Sequence, residues 1–225
     1  KACVLAVAVN TEGRREVLGL SVGPAESEAF WKQFLRDLIG RGMAGVQLVI
    51  SDAHAGLKKA VAQVLGASWQ RCRVHFMRDV LAHVHKRHQS MVAAAIRTAF
   101  AQQDGAEARG QWRETAESLR ARFPKVAAMM DAAEEEVLAH TAFPAAHWSK
   151  IASTNPLERV NKEVKRRSDV VGIFPNEAAI TRLVGAVVLE QSEEWQVGRC
   201  YMAKHSLAAL PDEDSDELKQ IENAA

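Results

Sequence analysis

The chain has 225 residues and is 48% hydrophobic, enough apolar material to bury one core with an inserted subdomain. Lys and Arg number 29 against 28 Asp and Glu, a formal net charge of +1, so bulk charge alone gives no case for a polyanionic partner. These 225 residues show no signal-peptide pattern and no apolar run long enough to span a membrane, and the three cysteines (Cys3, Cys72, Cys200) are odd in number and far apart, which disfavours a disulfide framework and favours a reducing compartment.

Taken in order, Cys3–Val9 is a valine-rich run that predicts a strand buried on both faces. Turn residues from Asn10 to Arg14 separate it from Glu16–Val22, and the two strands predict a hairpin. Pro24–Arg41 has helical period, with Phe30, Phe34, Leu35, Leu38 and Ile39 on one face and Gly40 and Gly42 closing it. Val46–Ser51 is a third strand followed at once by Asp52. Ala55–Leu65 is a short helix ended by Gly66, and Trp69–Val74 reads as a fourth strand. From Arg78 the period is helical as far as Pro144. Val80, Leu81, Val84, Met91, Val92, Ala95, Ile96, Ala99 and Phe100 mark one long helix, with breaks at Asp104-Gly105, Pro124 and Pro144. Another helix starts near Asn155. After a turn at Gly172 and Pro175 a last helix runs from Asn176, with Ile180, Leu183, Val184, Val187, Val188 and Trp195 as its apolar face. The plan is α/β: a mixed sheet with flanking helices from residues 1–75 and 149–202, an all-helical insertion at 76–148, and an acidic tail at 203–225 expected to be flexible. The opening residue, Lys1, stands almost inside a strand, as expected of a segment of something longer.

The near-neutral total hides segregated charge. Arg71–His88 and Lys150–Arg167 are basic, whereas Asp131–Glu136 and Pro211–Glu222 are acidic. Local positive stripes are what a DNA-gripping protein needs. The stretch Ser153–Arg167 (STNPLERVNKEVKRR) starts as a helix should, with Asn155 as N-cap, Pro156 in the first turn and Glu158 at the third helical position. Leu157, Val160 and Val164 form its apolar face, and Glu158, Lys162 and Lys165 a polar one, followed by Arg166 and Arg167. Glu158 is compatible with a capping box or with a metal-binding carboxylate beside a phosphate-holding stripe. Asp52 at a strand end is compatible with an Asx-turn or with a metal ligand or general base. His54 nearby could orient a neighbour or be solvated. Cys72 and His75 have the spacing of half a zinc site. No second such pair follows at the customary distance, and His83, His85 and His88 on a helix do not converge with Cys72.

Several ordered segments together resemble the mutator-type transposases of bacterial insertion sequences: Ser51-Asp52-Ala53-His54-Ala55-Gly56, Cys72-Arg73-Val74-His75-Phe76, Ser153-Thr154-Asn155-Pro156-Leu157-Glu158-Arg159-Val160-Asn161, and Arg166-Arg167 followed by Gly172-Ile173-Phe174-Pro175-Asn176. Glu12–Gly19 and Glu193-Glu194-Trp195 carry the likeness further, so that it extends to about Met202. The resemblance implies a ribonuclease-H-like fold with a helical insertion and an Asp-Asp-Glu site. Asp52 would be the second acid, Glu158 the last, and Cys72 with His75 the family's Cys-x-x-His motif. It further implies Mg²⁺ (or Mn²⁺) as cofactor, element ends with terminal inverted repeats and target DNA as partners, self-association for synapsis, and a cytoplasmic, nucleoid-associated location. Lys150, Asn155, Arg159, Lys162, Lys165, Arg166 and Arg167 are the expected DNA contacts.

In that family the first Asp lies on a strand preceding the one that opens this chain, and Lys1–Asn10 contains no acid. The expectation is a carboxyl-terminal part that lacks the first acid and the end-binding region and is inactive alone. Two alternatives stand beside it. One is a non-catalytic copy that binds DNA or a full-length subunit as a repressor, and the other a ribonuclease-H-like nuclease that only hydrolyses.

Overall fold

In the computed structural model, which describes residues 1–208 and 210, the chain is mixed α/β and mostly helical. It divides into two units: residues Lys1–Val46, Ala55–Gly66 and the chain from Asn155 onward form the first, and Gln47–His54 with Ala67–Thr154 form the second. The expected acidic tail lies, from residue 211 on, outside the described residues.

In chain order the elements are β1 (Ala2–Val9), β2 (Arg15–Gly23), α1 (Glu28–Gly40), β3 (Leu48–Ser51), α2 (Ala55–Val64), β4 (Ser68–Arg71) and α3 (Arg73–Ala82). There follow α4 (Lys86–Phe100), α5 (Gly105–Arg120), α6 (Pro124–Val137), a 3₁₀ turn (Ala139–Ala142), α7 (Ala145–Ile151), α8 (Asn155–Val171), α9 (Glu177–Val197) and α10 (Lys204–Leu207). Among the described residues the four strands pair as two separate ladders, where one mixed sheet was expected: β1 with β2 antiparallel, and β3 with β4 parallel.

The first unit is built on the β1–β2 hairpin. Its register shifts between Ala6 and Val7, where Leu18 is the extra residue of a bulge. The Leu18 carbonyl accepts from Arg41 Nη2 at 2.7 Å, and a Cβ at Gly19 would lie 2.5 Å from that nitrogen and 2.9 Å from Leu38. A larger residue at Gly19 would make the ends of the Arg41 and Leu38 side chains shift. Gly13, at the hairpin tip, has φ +75°, and a side chain there would meet the Met202 carbonyl. Its own carbonyl accepts from the backbone N–H groups of Tyr201 and Met202, tying the segment after α9 to the turn. Val160 of α8 and Val184, Val188 and Trp195 of α9 are buried with Leu5, Val7, Val17 and Leu20 of the hairpin packed against them. Each such apolar side chain contributes about 1.5–3 kcal/mol when fully buried. The helix predicted from Pro24 begins at Glu28, because Ser27 Oγ accepts from the Phe30 N–H and sets the boundary there.

The second unit packs α3 to α6 around Phe76, Val80, Val92, Ile96, Trp112, Met130 and Val137, all fully buried. Trp112 Nε1 donates to the Met130 carbonyl at 3.0 Å, so its one polar atom is satisfied inside the core. Gln70 of β4, fully buried, donates to the Val137 carbonyl, and its Oε1 accepts from the His140 N–H, both at 2.7 Å. This one amide holds β4 to the end of α6.

Other boundaries in the second unit also differ from the periodicity. The predicted strand Trp69–Val74 stops at Arg71: the Arg73 N–H goes to the Ala152 carbonyl and the Phe76 N–H to the Cys72 carbonyl, so Cys72 opens a helix instead. The single helix expected through Val80–Phe100 breaks at His83–His85. Gln89 Nε2 donates to the Leu81 and Val84 carbonyls, a side-chain cap that periodicity cannot register, and His85 caps α4.

Candidate functional site

In the second unit, register brings three chemically capable side chains together. Ser51 pairs with Arg71 in the parallel ladder, so the next residues, Asp52 and Cys72, leave it side by side. The Cys72 N–H donates to the Ser51 carbonyl at 2.8 Å and holds that spacing. Ser51 Oγ accepts from Trp69 Nε1 at 2.8 Å and donates to the Asp52 carbonyl at 2.9 Å, which also accepts the His54 N–H and turns the chain. One turn into α3, His75 returns to the same side, as a helix requires of residues three apart. Its Nδ1 lies 2.5 Å from Asp52 Oδ1. The ligand atoms of Asp52, Cys72 and His75 all lie within 4.8 Å of one another.

Exposure is graded across the group. Cys72 is fully buried, the His75 side chain is 20% exposed and that of Asp52 58%, so the group opens to solvent at the carboxylate. The buried sulfur accepts from both the N–H and the hydroxyl of Thr154, at 3.4 and 3.3 Å. Thr154 immediately precedes α8. His54 is outside the group. His83 and His85 cap α3 and α4, and His88 faces Arg122, so these three histidines make no further ligand set with Cys72.

In the first unit, α8 carries the remaining expected residues except Lys150, which is half-buried on α7 of the second unit. Asn155 begins the helix and is exposed; Glu158, in its first turn, is half-buried. Val160 is fully buried, with Val164 packed beside it, so the apolar face lies where the period places it. Arg159, Lys162 and Lys165 are exposed, and the two lysines make no ion pair among the described residues. Arg166 and Arg167 are already committed. Glu163 takes Arg166 at 2.6 Å and Arg167 at 2.9 Å, and Arg167 also reaches Glu190 at 2.9 Å. Hydrogen bonds from the two guanidinium groups pull the Glu163 carboxyl down to about 2, and the same bonds raise both arginines. The i,i+3 and i,i+4 spacing of Glu163 to these arginines is the sequence signal for both pairs.

A further cluster in the first unit has no local sequence signal. The Arg15 guanidinium lies 4.6 Å from the Trp195 ring and 4.7 Å from the Tyr201 ring. Burial lowers Arg15 and raises Tyr201, and the charge of Arg159 acts on both. The members come from β2, α8, α9 and the segment beyond, so only the fold assembles them.

Chemically the donors separate by hardness. Asp52 and Glu158 offer the carboxylate oxygens that Mg²⁺ takes, whereas Cys72 and His75 offer sulfur and nitrogen, which it does not favour. No helix among the described residues is long and apolar enough to cross a membrane.

The family described as Transposase, Mutator family matches residues 1–198. Over 225 residues the chain is 44% identical to the transposase for insertion sequence element IS1081 of Mycobacterium tuberculosis, covering 98% of this chain and 54% of that protein. It is 37% identical over 203 residues to the transposase for ISRM5 of Rhizobium meliloti, covering 90% and 51% respectively. Against the transposase for IS256 in transposon Tn4001 of Staphylococcus aureus, identity is 34% over 198 residues, covering 87% and 50%. The chain spans about half the length of these curated relatives.

Proposed function

The chain belongs to the Mutator family of transposases, and from that premise we propose that it carries catalytic residues of an insertion-sequence transposase that cleaves element ends and joins them to target DNA. The proposed core is ribonuclease-H-like, formed by residues 1–75 and 149–202, with 76–148 as its helical insertion. Asp52 and Glu158 are two of its three catalytic acids.

The observation that carries this reading is the position of Asp52. It is the first residue beyond a parallel ladder, open to solvent, with Oδ1 2.5 Å from His75 Nδ1. Carboxyl ends of parallel strands are where open α/β sheets gather functional side chains. His75 is a positioning residue: by holding Oδ1 it fixes the direction in which Oδ2 points. Thr154 donates to the Cys72 sulfur from behind and fixes that side of the strand-end group. With such carboxylates among its ligands, Mg²⁺ or Mn²⁺ would stabilise the entering and leaving oxygens of an in-line phosphoryl displacement. Arg159, Lys162 and Lys165 hold phosphates of the DNA, and Lys150 and Asn155 are further contacts.

The test uses the complete open reading frame with oligonucleotides bearing the element's terminal inverted repeats. Asp52→Asn and Glu158→Gln should each abolish cleavage and joining while DNA binding changes less than threefold. Both substitutions keep size, and Gln still serves a capping box. Wild-type joining by Glu158→Gln would reduce Glu158 to a helix cap and overturn the reading.

A further inference from the structure

We propose that Asp52, Cys72 and His75 form a three-ligand site for a zinc-class divalent cation, distinct in chemistry from a magnesium site although it shares one carboxylate. One sulfur, one imidazole nitrogen and one carboxylate oxygen are a donor set that zinc accepts and magnesium does not. The three ligand atoms lie within 4.8 Å of one another, on two strand ends and one helix turn. Around a tetrahedral zinc such atoms stand roughly 3.3–3.7 Å apart, from bond lengths of about 2.0–2.3 Å. Asp52 Oδ1 and His75 Nδ1, now 2.5 Å apart, need to open slightly.

The surroundings support the assignment. Cys72 Sγ is a hydrogen-bond acceptor from Thr154, the role a metal-bound sulfur keeps toward its neighbours. The two cations flanking it are directed elsewhere: Arg71 pairs with Asp79 at 2.8 Å and lies over the Phe76 ring, and Arg73 lies over the Phe100 ring. Asp52, the most exposed ligand, leaves the fourth coordination position facing solvent, where water or a phosphate oxygen would bind.

The test is binding by the 225-residue chain, which does not depend on Asp52 being a catalytic acid, so the two proposals fail separately. Cys3 and Cys200 are exposed and are first replaced by Ser to remove competing thiols. That protein should take up one equivalent of Zn²⁺ against a chromophoric chelator. With Co²⁺ it should show a sulfur-to-cobalt charge-transfer band and the visible bands of a tetrahedral ion. Cys72→Ser should remove the charge-transfer band, and Asp52→Asn and His75→Ala should each weaken Zn²⁺ binding at least tenfold. A hundredfold excess of Mg²⁺ should leave the cobalt spectrum unchanged. Absence of a charge-transfer band in the parent protein overturns the proposal without reliance on any variant. Zinc affinity unchanged in Asp52→Asn and His75→Ala, with circular dichroism unaltered, overturns it as well.

Discussion

The strand ends of the second unit and helix α8 of the first place functional side chains by opposite means. Asp52, Cys72 and His75 are set by backbone hydrogen bonds, a parallel register and a buried core, and Cys72 is fully enclosed. The α8 cations are set only by helical period and stand in solvent, in part balanced by Glu163 and Glu190. Groups held by main chain and core are fixed in direction, as metal binding and in-line chemistry need. Groups on an exposed face are adjustable and sensitive to salt, as binding a phosphate backbone tolerates. The first kind of site is therefore coupled to the stability of its unit, and the second is not.

Removing the support is the strongest way to break that contrast. Trp112→Ala takes away a fully buried ring that packs on Phe76 and leaves the Met130 carbonyl without its donor. A loss of about 3–5 kcal/mol is expected in denaturant unfolding of the second unit. Its counterpart, Lys162→Ala with Lys165→Ala, should stay within about 0.5 kcal/mol. Equal losses would mean that α8 is as integral to stability as the core.

Acid separates the regions next. Burial, opposed by the Val137 carbonyl and aided by Arg73 and Arg109, pushes His140 down to about 4. The unfolded chain, with an ordinary value near 6.5, takes a proton that the folded chain refuses until about pH 4. Its contribution is complete above pH 6.5 and is lost as pH falls toward 4, by on the order of 3 kcal/mol at about 1.4 kcal/mol per pH unit. Glu163 acts lower: its ion pairs persist to about pH 2, and their contribution is lost as pH falls through that value. Unfolding curves between pH 7 and 4 should steepen in His140 protein and flatten in His140→Gln, which keeps a donor for the Val137 carbonyl. A wild-type profile flat over that range would show that His140 does not govern the second unit.

What the sequence showed divides along the same line. The hairpin, the break at Asp104-Gly105, the start of the last helix at Asn176 and the apolar faces of α8 and α9 follow from local chemistry, and each is where the residues put it. The convergence of Asp52 with Cys72 and His75 depends on which residue of β3 pairs with which of β4, and strand register across an intervening helix leaves no local mark. The break at His83–His85 was hidden because Val80, Val84 and Val92 keep an apolar period through it; all three are buried in one core. The Arg15 cluster is invisible for the same reason as the metal-capable group, being assembled from distant elements.

A smaller effect tests the back of the strand-end site. Thr154→Val removes the hydroxyl donor to Cys72 Sγ but leaves its backbone donor. A cost of about 1 kcal/mol is expected, the ordinary net value of one hydrogen bond. Chemical unfolding measures it, and no loss would show that the sulfur contact is incidental.

The smallest free-energy change distinguishes cations within α8. Each phosphate neutralised releases counterions, and log affinity falls against log salt with a slope of about −0.9 per contact on duplex DNA. Lys162 and Lys165 have no ion-pair partner to give up among the described residues, so binding phosphate costs them little beyond side-chain entropy. Arg166 and Arg167 must first leave Glu163 and Glu190, or bind while those carboxylates remain close and repel the same phosphate. Replacing both lysines with Ala should therefore reduce the salt slope by about two units, whereas replacing both arginines should change it by less than one. Adding Glu163→Gln should bring the arginines into play, raising affinity at low salt and making their later removal as costly as that of the lysines. Filter binding or fluorescence anisotropy from 50 to 200 mM salt gives each slope. If the arginine pair flattens the slope as much as the lysine pair does with Glu163 intact, the internal ion pairs do not withhold those charges from DNA.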